Sequence, residues 1–422
     1  MKKTISVGSA AWTCGKEYTD EYAERIVQFL RYTREDALCE YASSLRGGVA
    51  CVVAADFAAG SHHMVRKLCF EDGVEWVARM RLPPIWGDEE LSSRAISAAM
   101  SSELAAMAFV RQNTDVQVPI VHGYNLDIDN RVGSAFVLME YVPGSTADVV
   151  SRMYPGDHRG SIPTHFREKF WRQLAGIMVR LAAVRLPMIG SIYREGSSPG
   201  AFTAGPLVET LSGPYGSAAA FYRDFAPRLG RRLGNGQAGE EGQAALLQGF
   251  ARVATSSFVP ETGAEEEEEH KESRGGFGLA NYGLSPSNVL VDAEFNVLAV
   301  IDWSAVVALP EAALHQLPQG MGIEAAIPGA TEATEAAVRE AQAHGRRFAE
   351  MVERQALEMA DHKESVMPPL TAAGFYSREA VAFRALIDMR RQQDSLNRQW
   401  ARGLEWLAEH SDEALDGFYA GS

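Results

Sequence analysis

Residues 279–310 read LANYGLSPSNVLVDAEFNVLAVIDWSAVVALP, and the spacing of their apolar positions decides the fold. One apolar run, 288–292 (Asn-Val-Leu-Val-Asp), meets a second, 297–301 (Val-Leu-Ala-Val-Ile), across a short turn at 293–296. Two such runs separated by turn residues predict a β-hairpin. Asn288 opens the first run and Asp302 follows the second, so the hairpin presents an amide and a carboxylate at neighbouring strand ends. Those oxygens suit a divalent cation held among nucleotide phosphates. An Asp at a strand end also caps turns, and that reading stands beside the first.

Working upstream, the chain alternates as strands at 49–53, 64–70 and 75–82, punctuated by Gly60 and by Glu71-Asp72-Gly73. Asp-Gly between apolar runs is a strong hairpin signal. A helix is predicted over 93–113, an extended segment over 116–124, and a strand over 135–141 that Pro143-Gly144 stops. Before these strands, 20–45 carries Tyr22, Ile26, Phe29, Leu30 and Leu38 at helical spacing behind Asp20, a residue type that caps helix starts. After Pro143 the pattern turns helical: 166–184 places Phe170, Leu174, Ile177, Met178 and Leu181 on one face. Helices are expected again over 332–363 and 377–419. Before them, 234–276 is rich in Gly, Ala and Glu and carries the glutamate run 265–269 near its end. We expect a mobile surface insertion there, with an acidic docking segment as the alternative.

A length of 422 residues suggests two lobes with ample core. The net charge of −15 argues against nucleic-acid or anionic-membrane partners. Cys14, Cys39, Cys51 and Cys69 match no zinc or disulfide spacing, which suggests free thiols. The first residues carry two lysines but no sustained apolar core, so no secretory signal is read. No apolar run of the roughly eighteen residues a spanning helix needs occurs either. The expectation is a cytoplasmic protein.

The hairpin stretch resembles the catalytic segment of the aminoglycoside phosphotransferase and choline kinase-like family, especially its fungal-type members. That family's pattern is His-x-Asp-x-x-x-x-Asn, a hydrophobic hairpin, then Ile-Asp-Trp and a nearby Pro. Asn288, Ile301-Asp302-Trp303 and Pro310 match, whereas the catalytic Asp falls on Gly283 and the His on Asn281. The resemblance implies an α+β, bilobal, protein-kinase-like fold. Its parts would be a helical N-terminal preface (1–48), a small antiparallel-sheet N-lobe (49–142) and a large helical C-lobe (143–422) holding an acidic insertion at about 261–275. It also implies Arg79 as the strand cation that meets phosphates, with Glu103 as its helix partner. Gly60 and Ser61 would lie in a loop over the phosphates, Glu140 and Tyr141 in the segment that holds an adenine, and Asn288 and Asp302 on the metal. A plain turn at Gly60 and a plain strand end at Glu140 remain open as alternatives. ATP and Mg²⁺ are the implied cofactors, with none as the other possibility.

Glycine at 283 has no side chain to accept a hydroxyl proton, and a positioned base is worth about 10²–10⁴-fold. Tyr282, Ser285 and Ser287 are the neighbours available to replace it. The favoured expectation is a kinase fold repurposed for non-phosphoryl chemistry (cyclisation, isomerisation or elimination) on a small organic metabolite in the interlobe cleft. Asp302, Glu103, His62 and His63 are its acid–base candidates. Trp171, Tyr193, Trp303, Trp400 and Trp406 are available to line a ligand pocket. The alternatives are an ATP/Mg-dependent small-molecule phosphotransferase with a weak base, and a non-catalytic pseudokinase.

Overall fold

A computed structural model describes residues 7–14, 23–83, 93–155, 162–196, 200–234, 240–258, 275–330, 335–362 and 370–420. The chain divides into two compact units: 1–107, 117–159 and 287–304 form the first, and 108–116, 160–286 and 305–422 the second. The expected boundary at 142/143 therefore falls inside the first unit, which also takes the hairpin.

The first unit is built on a six-stranded antiparallel sheet. Its strands are β1 (Thr13–Cys14), β2 (Cys51–Ala59), β3 (His63–Phe70), β4 (Glu75–Arg81), β5 (Val121–Asn125) and β6 (Phe136–Glu140), in the order β1-β2-β3-β4-β6-β5. Alternation along the strands sorts the two faces. Met64, Leu68, Phe70, Trp76, Ala78, Met80, Phe136 and Leu138 form one core with Ile26, Phe29, Ala37 and Leu38 of the N-terminal helices. Val65, Val77, Arg79 and Val137 belong to the opposite row, fixed by the pairings Val65↔Arg79 and Arg79↔Val137. The turn 71–73 closes as expected, with Gly73 at φ +83, a left-handed conformation glycine adopts without steric penalty.

The single helix expected over 20–45 is two, α1 (Ala23–Tyr32) and α2 (Glu35–Ser44). Arg34 is extended between them (φ −94, ψ 95), and its N–H donates to the carbonyl of Val132 at 3.0 Å. That bond draws Arg34's donor away from any helical ladder. Asp20 lies outside the described residues. Helix α3 (Ser93–Asn113) has the predicted bounds, and a short helix, α4 (Ala147–Met153), follows β6. The hairpin forms from Val289–Val291 and Val297–Val300, and its first strand also pairs with Ser145–Thr146. The Asp292 carboxylate accepts the N–H groups of Glu294 and Asn296, each at 2.9 Å, and this closes the turn.

The second unit carries α5 (Thr164–Ala182), α6 (Ala218–Leu233), α7 (Glu240–Ser257), α8 (Glu311–Leu314), α9 (Glu335–His362), α10 (Arg378–Met389), α11 (Asp394–Glu409) and α12 (Asp412–Ala420). A five-stranded antiparallel sheet accompanies them, ordered Phe202–Gly205, Gly190–Arg194, Val306–Leu309, Phe277–Asn281, Arg185–Leu186. Here the expectation of an insertion over 234–276 is corrected. Leu246, Phe250 and Val253 of α7 are buried, and α7 packs along α11 beside buried Trp400, Leu404 and Leu407. Glycine permits the close approach: a Cβ at Gly249 would lie 2.9 Å from Leu404 Cβ. Residues 259–274, which include the glutamate run, lie outside the described residues. Cys39, Cys51 and Cys69 are free thiols. Among the described residues no helix is long and apolar enough to cross a membrane.

Candidate functional site

The site is assembled inside the first unit from β4, α3 and the chain that leaves the hairpin. Arg79 stands on the sheet row opposite the core. On α3, Glu103 is 6% exposed beside buried Met100, Leu104 and Met107. Arg79 Nη1 donates to Glu103 Oε2 at 2.6 Å, and its Nη2 lies 3.7 Å from Asp302 Oδ1. The other oxygen of Glu103 accepts the Trp303 N–H at 3.2 Å. One glutamate thus ties the strand cation to the residue after Asp302. Burial works against the Arg79 charge, but the Glu103 and Asp302 carboxylates outweigh it and hold the guanidinium above its usual pKa. Such a pair is sensitive to loss of either member, because the survivor is left buried and uncompensated.

Asp302 adopts φ +59, a left-handed conformation that short polar side chains tolerate best. Its Oδ1 accepts the Ser304 hydroxyl at 2.6 Å, and the side chain is 39% exposed. The carbonyl of Asn288 accepts the Ile301 N–H at 2.9 Å, so Asn288 and Asp302 do sit at adjacent strand ends. One carboxylate and one amide fit Mg²⁺, which normally keeps waters and phosphate oxygens in its shell rather than a protein cage. Among the described residues no group of three or more His, Cys, Asp or Glu side chains is gathered as such a cage.

Gly60 and Ser61 form the exposed β2–β3 turn, closed by the Gly60 N–H to the His63 carbonyl at 2.9 Å, and nothing lies within 4 Å of a Cβ at Gly60. His62 is exposed, and its Nδ1 is 3.0 Å from the Ser61 hydroxyl. His63 pairs with Arg81 across the sheet, on the row of Arg79, and its Nε2 is buried with no hydrogen-bond partner among the described residues. Burial, with the charges of Arg79, Arg81 and His62 adding to it, pushes its pKa down to about 2, which keeps the imidazole neutral. Glu140 pairs with Trp76 on the core side of the sheet, and its carboxylate accepts the Ile120 N–H at 3.2 Å. The Tyr141 hydroxyl accepts the Ser9 N–H at 2.8 Å, and the Trp12 ring meets the Tyr141 ring edge-on.

The segment from Asn281 to Gly283 belongs to the second unit. Asn281 Oδ1 accepts the Gly283 N–H at 2.9 Å, forming a local turn. Burial holds the Tyr282 phenol protonated, its pKa well above the ordinary value. The tryptophans offered as pocket lining serve packing: Trp171, Trp303 and Trp400 are at most 1% exposed, and Trp406 stacks on His410. Sequence reasoning missed the Glu103–Trp303 link, because two hundred residues separate its members. It also missed the Ser9–Tyr141 contact, for which the chain carries no local signal.

Fold and site together define an α+β protein in which a strand cation is fixed by a helix glutamate near a post-hairpin carboxylate. No protein-family model matches the chain. Among curated proteins it is similar to fungal proteins named altered inheritance of mitochondria protein 9, mitochondrial. The Candida tropicalis protein is 36% identical over 134 residues, covering 32% of this chain and 20% of that protein. The Yarrowia lipolytica protein is 31% identical over 146 residues, covering 32% and 24%. The chain thus spans only about a fifth to a quarter of the length of the relatives it matches. Similar solved structures include a macrolide 2′-phosphotransferase of type I (17% identity, TM-score 0.43, 90% of this chain and 99% of that one). A choline kinase from Cryptosporidium parvum (10%, 0.47, 92% and 99%) and an ethanolamine kinase from Plasmodium vivax (10%, 0.45, 97% and 89%) are others. Likenesses of this size transfer neither substrate nor activity. The cytoplasmic expectation is corrected by the curated relatives, whose names point to the mitochondrion.

Proposed function

We propose that this chain holds a magnesium nucleotide in its first unit and acts on a small organic molecule, with phosphoryl transfer deprived of its general base. The observation that carries the reading is Arg79, fixed by Glu103 at 2.6 Å and 3.7 Å from Asp302. Arg79 would meet phosphate oxygens bidentately, as guanidinium does. Asp302 and Asn288 would hold the metal, which when bound neutralises charge on the phosphates. Calorimetric titration with ATP, with and without Mg²⁺, tests this. Magnesium-dependent heat that Asp302→Ala abolishes is expected, and equal heat without metal, or none at all, overturns the reading.

A second reading is favoured by Asp302, whose carboxylate is 39% exposed beside Arg79. It is a non-phosphoryl conversion such as cyclisation, isomerisation or elimination, with Asp302 as the acid–base group. Product mass separates the two: a gain of one phosphoryl group supports transfer, and an unchanged mass or loss of water supports the second. If transfer is the reaction, Gly283→Asp should raise turnover by about 10²-fold or more. The relatives' names also suggest a mitochondrial location, to be checked by fractionation of cells expressing the full-length protein.

A further inference from the structure

Beneath the strand that ends at Asn281, the second unit encloses a cavity of about 210 Å³. Met178 and Leu181 of α5, Leu279, Leu284, Leu317 and Ile387 give it a mostly apolar wall, interrupted by polar residues that include Asn281, Gln316, Glu324, Arg384, Asp388 and Arg391. Three of these polar residues have hydrogen-bonding capacity that no described residue meets. Asn281 is 9% exposed, and with its Oδ1 engaged by Gly283, its Nδ2 has no partner. Gln316 donates to the Ala380 carbonyl at 3.0 Å and leaves Oε1 buried and unpaired. Arg384 is 8% exposed and donates through Nη2 to the Phe375 carbonyl at 2.8 Å, while Nε and Nη1 have no partner. Asp388 differs, since its oxygens already accept from Gln319 at 3.1 Å and Trp400 at 2.9 Å.

Folded proteins leave few buried polar groups unpaired. Three residues with unmet capacity around one cavity therefore describe a binding surface better than a packing defect. Its preferences follow from the groups themselves. The two carboxylates of the lining are engaged: Asp388 lies 4.0 Å from Arg391 and accepts from Trp400 and Gln319, and Glu324 accepts the Gly320 N–H at 2.8 Å. Arg384, by contrast, has no carboxylate in ion-pair contact among the described residues. The charge left to be met is a cation's, and the surface favours an anion. The donors at Asn281 and Arg384 ask for acceptor oxygens, and Gln316 Oε1 asks for one hydrogen. At liquid density the volume equals that of about seven waters and falls below the ~300 Å³ from which drug-sized ligands are accommodated.

We propose that this cavity binds a small organic acid with an apolar body of roughly seven to ten non-hydrogen atoms. Arg384 and Asn281 receive its carboxylate, and Gln316 Oε1 accepts a hydroxyl hydrogen. The inference is independent of the nucleotide reading, because every residue it uses lies in the second unit and the measurement needs no nucleotide.

The test is calorimetry and thermal shift on the full chain with hexanoate, 2-hydroxyhexanoate, benzoate and mandelate, against hexylamine and hexanamide. Saturable binding of the acids, tightest for a hydroxy acid, is expected, with hexylamine giving none. Arg384→Met should weaken it by at least about tenfold, and Gln316→Leu should remove the preference for the hydroxyl. Should Arg384→Met fail to fold, Met178→Trp fills the cavity with an apolar side chain and should abolish acid binding in a protein that keeps its circular dichroism. Absence of binding by all four acids at millimolar concentration overturns the proposal. So does equal binding of hexylamine, or acid binding that survives Met178→Trp, any of which would leave the cavity a water-filled one.

Discussion

Both oxygens of Glu103 are committed, one to the Arg79 guanidinium and the other to the Trp303 N–H. Glu103→Gln keeps the shape but removes the charge that offsets Arg79. We predict a loss of about 3–5 kcal/mol, the range for breaking a buried pair on one side, read from the urea midpoint. A midpoint unchanged from the parent would show that Arg79 finds its compensation elsewhere. His63 carries a second prediction at this scale. Its folded pKa, about 2, lies below the ordinary histidine value of 6.5. Between those values the unfolded chain binds one more proton than the folded one, so stability is present above pH 6.5 and is lost as pH falls. The slope is at most about 1.4 kcal/mol per pH unit. His122 and His315 are depressed by burial and act in the same direction. His63→Asn should therefore reduce, and not abolish, the loss measured from pH 6.5 to 4.5, and a profile unchanged by the substitution would place His63 in contact with water.

At the scale of elements, the strands were legible because alternation needs only near neighbours. The runs at 64–70 and 75–82 became β3 and β4 within a residue at each end. Helix α7 was not legible, since its glycines and alanines read as loop composition until α11 is seen against them. Gly242 and Gly249 let Asp394, Arg398 and Leu404 of α11 come close, and Phe250 is buried against Tyr222 of α6. Phe250→Ala should cost about 3–5 kcal/mol, as large-to-small core changes do, observed as a lowered melting temperature with helical circular dichroism retained in the cold. A neutral effect would return this helix to the status of a surface appendage. The break between α1 and α2 was hidden for a related reason: the carbonyl that draws Arg34 out of the helix belongs to Val132, nearly a hundred residues on.

Over the whole molecule, the charge of −15 sets what the surface attracts. Polyanions should be repelled, and we predict no retention on heparin near physiological salt, where exposed charges act only over about a Debye length. Retention there would reveal a basic patch that the net charge conceals.

Local pattern alone was enough to place the hairpin, the antiparallel strands, α3, and the amide and carboxylate at 288 and 302, whereas 79, 103 and 283 were singled out only by the family resemblance. The features placed by pattern depend on periodicity and on spacing along one segment, and both survive without a partner. The union of Arg79, Glu103 and Asp302, the neutral state of His63, the packing of α7 and the cavity at Arg384 were decided by tertiary structure. Each depends on which buried group lies beside which, through contacts such as Arg79 to Glu103 at 24 residues and Glu103 to Trp303 at 200. Burial sets both the strength of those pairs and the protonation of their members, and burial is a property of the folded chain alone.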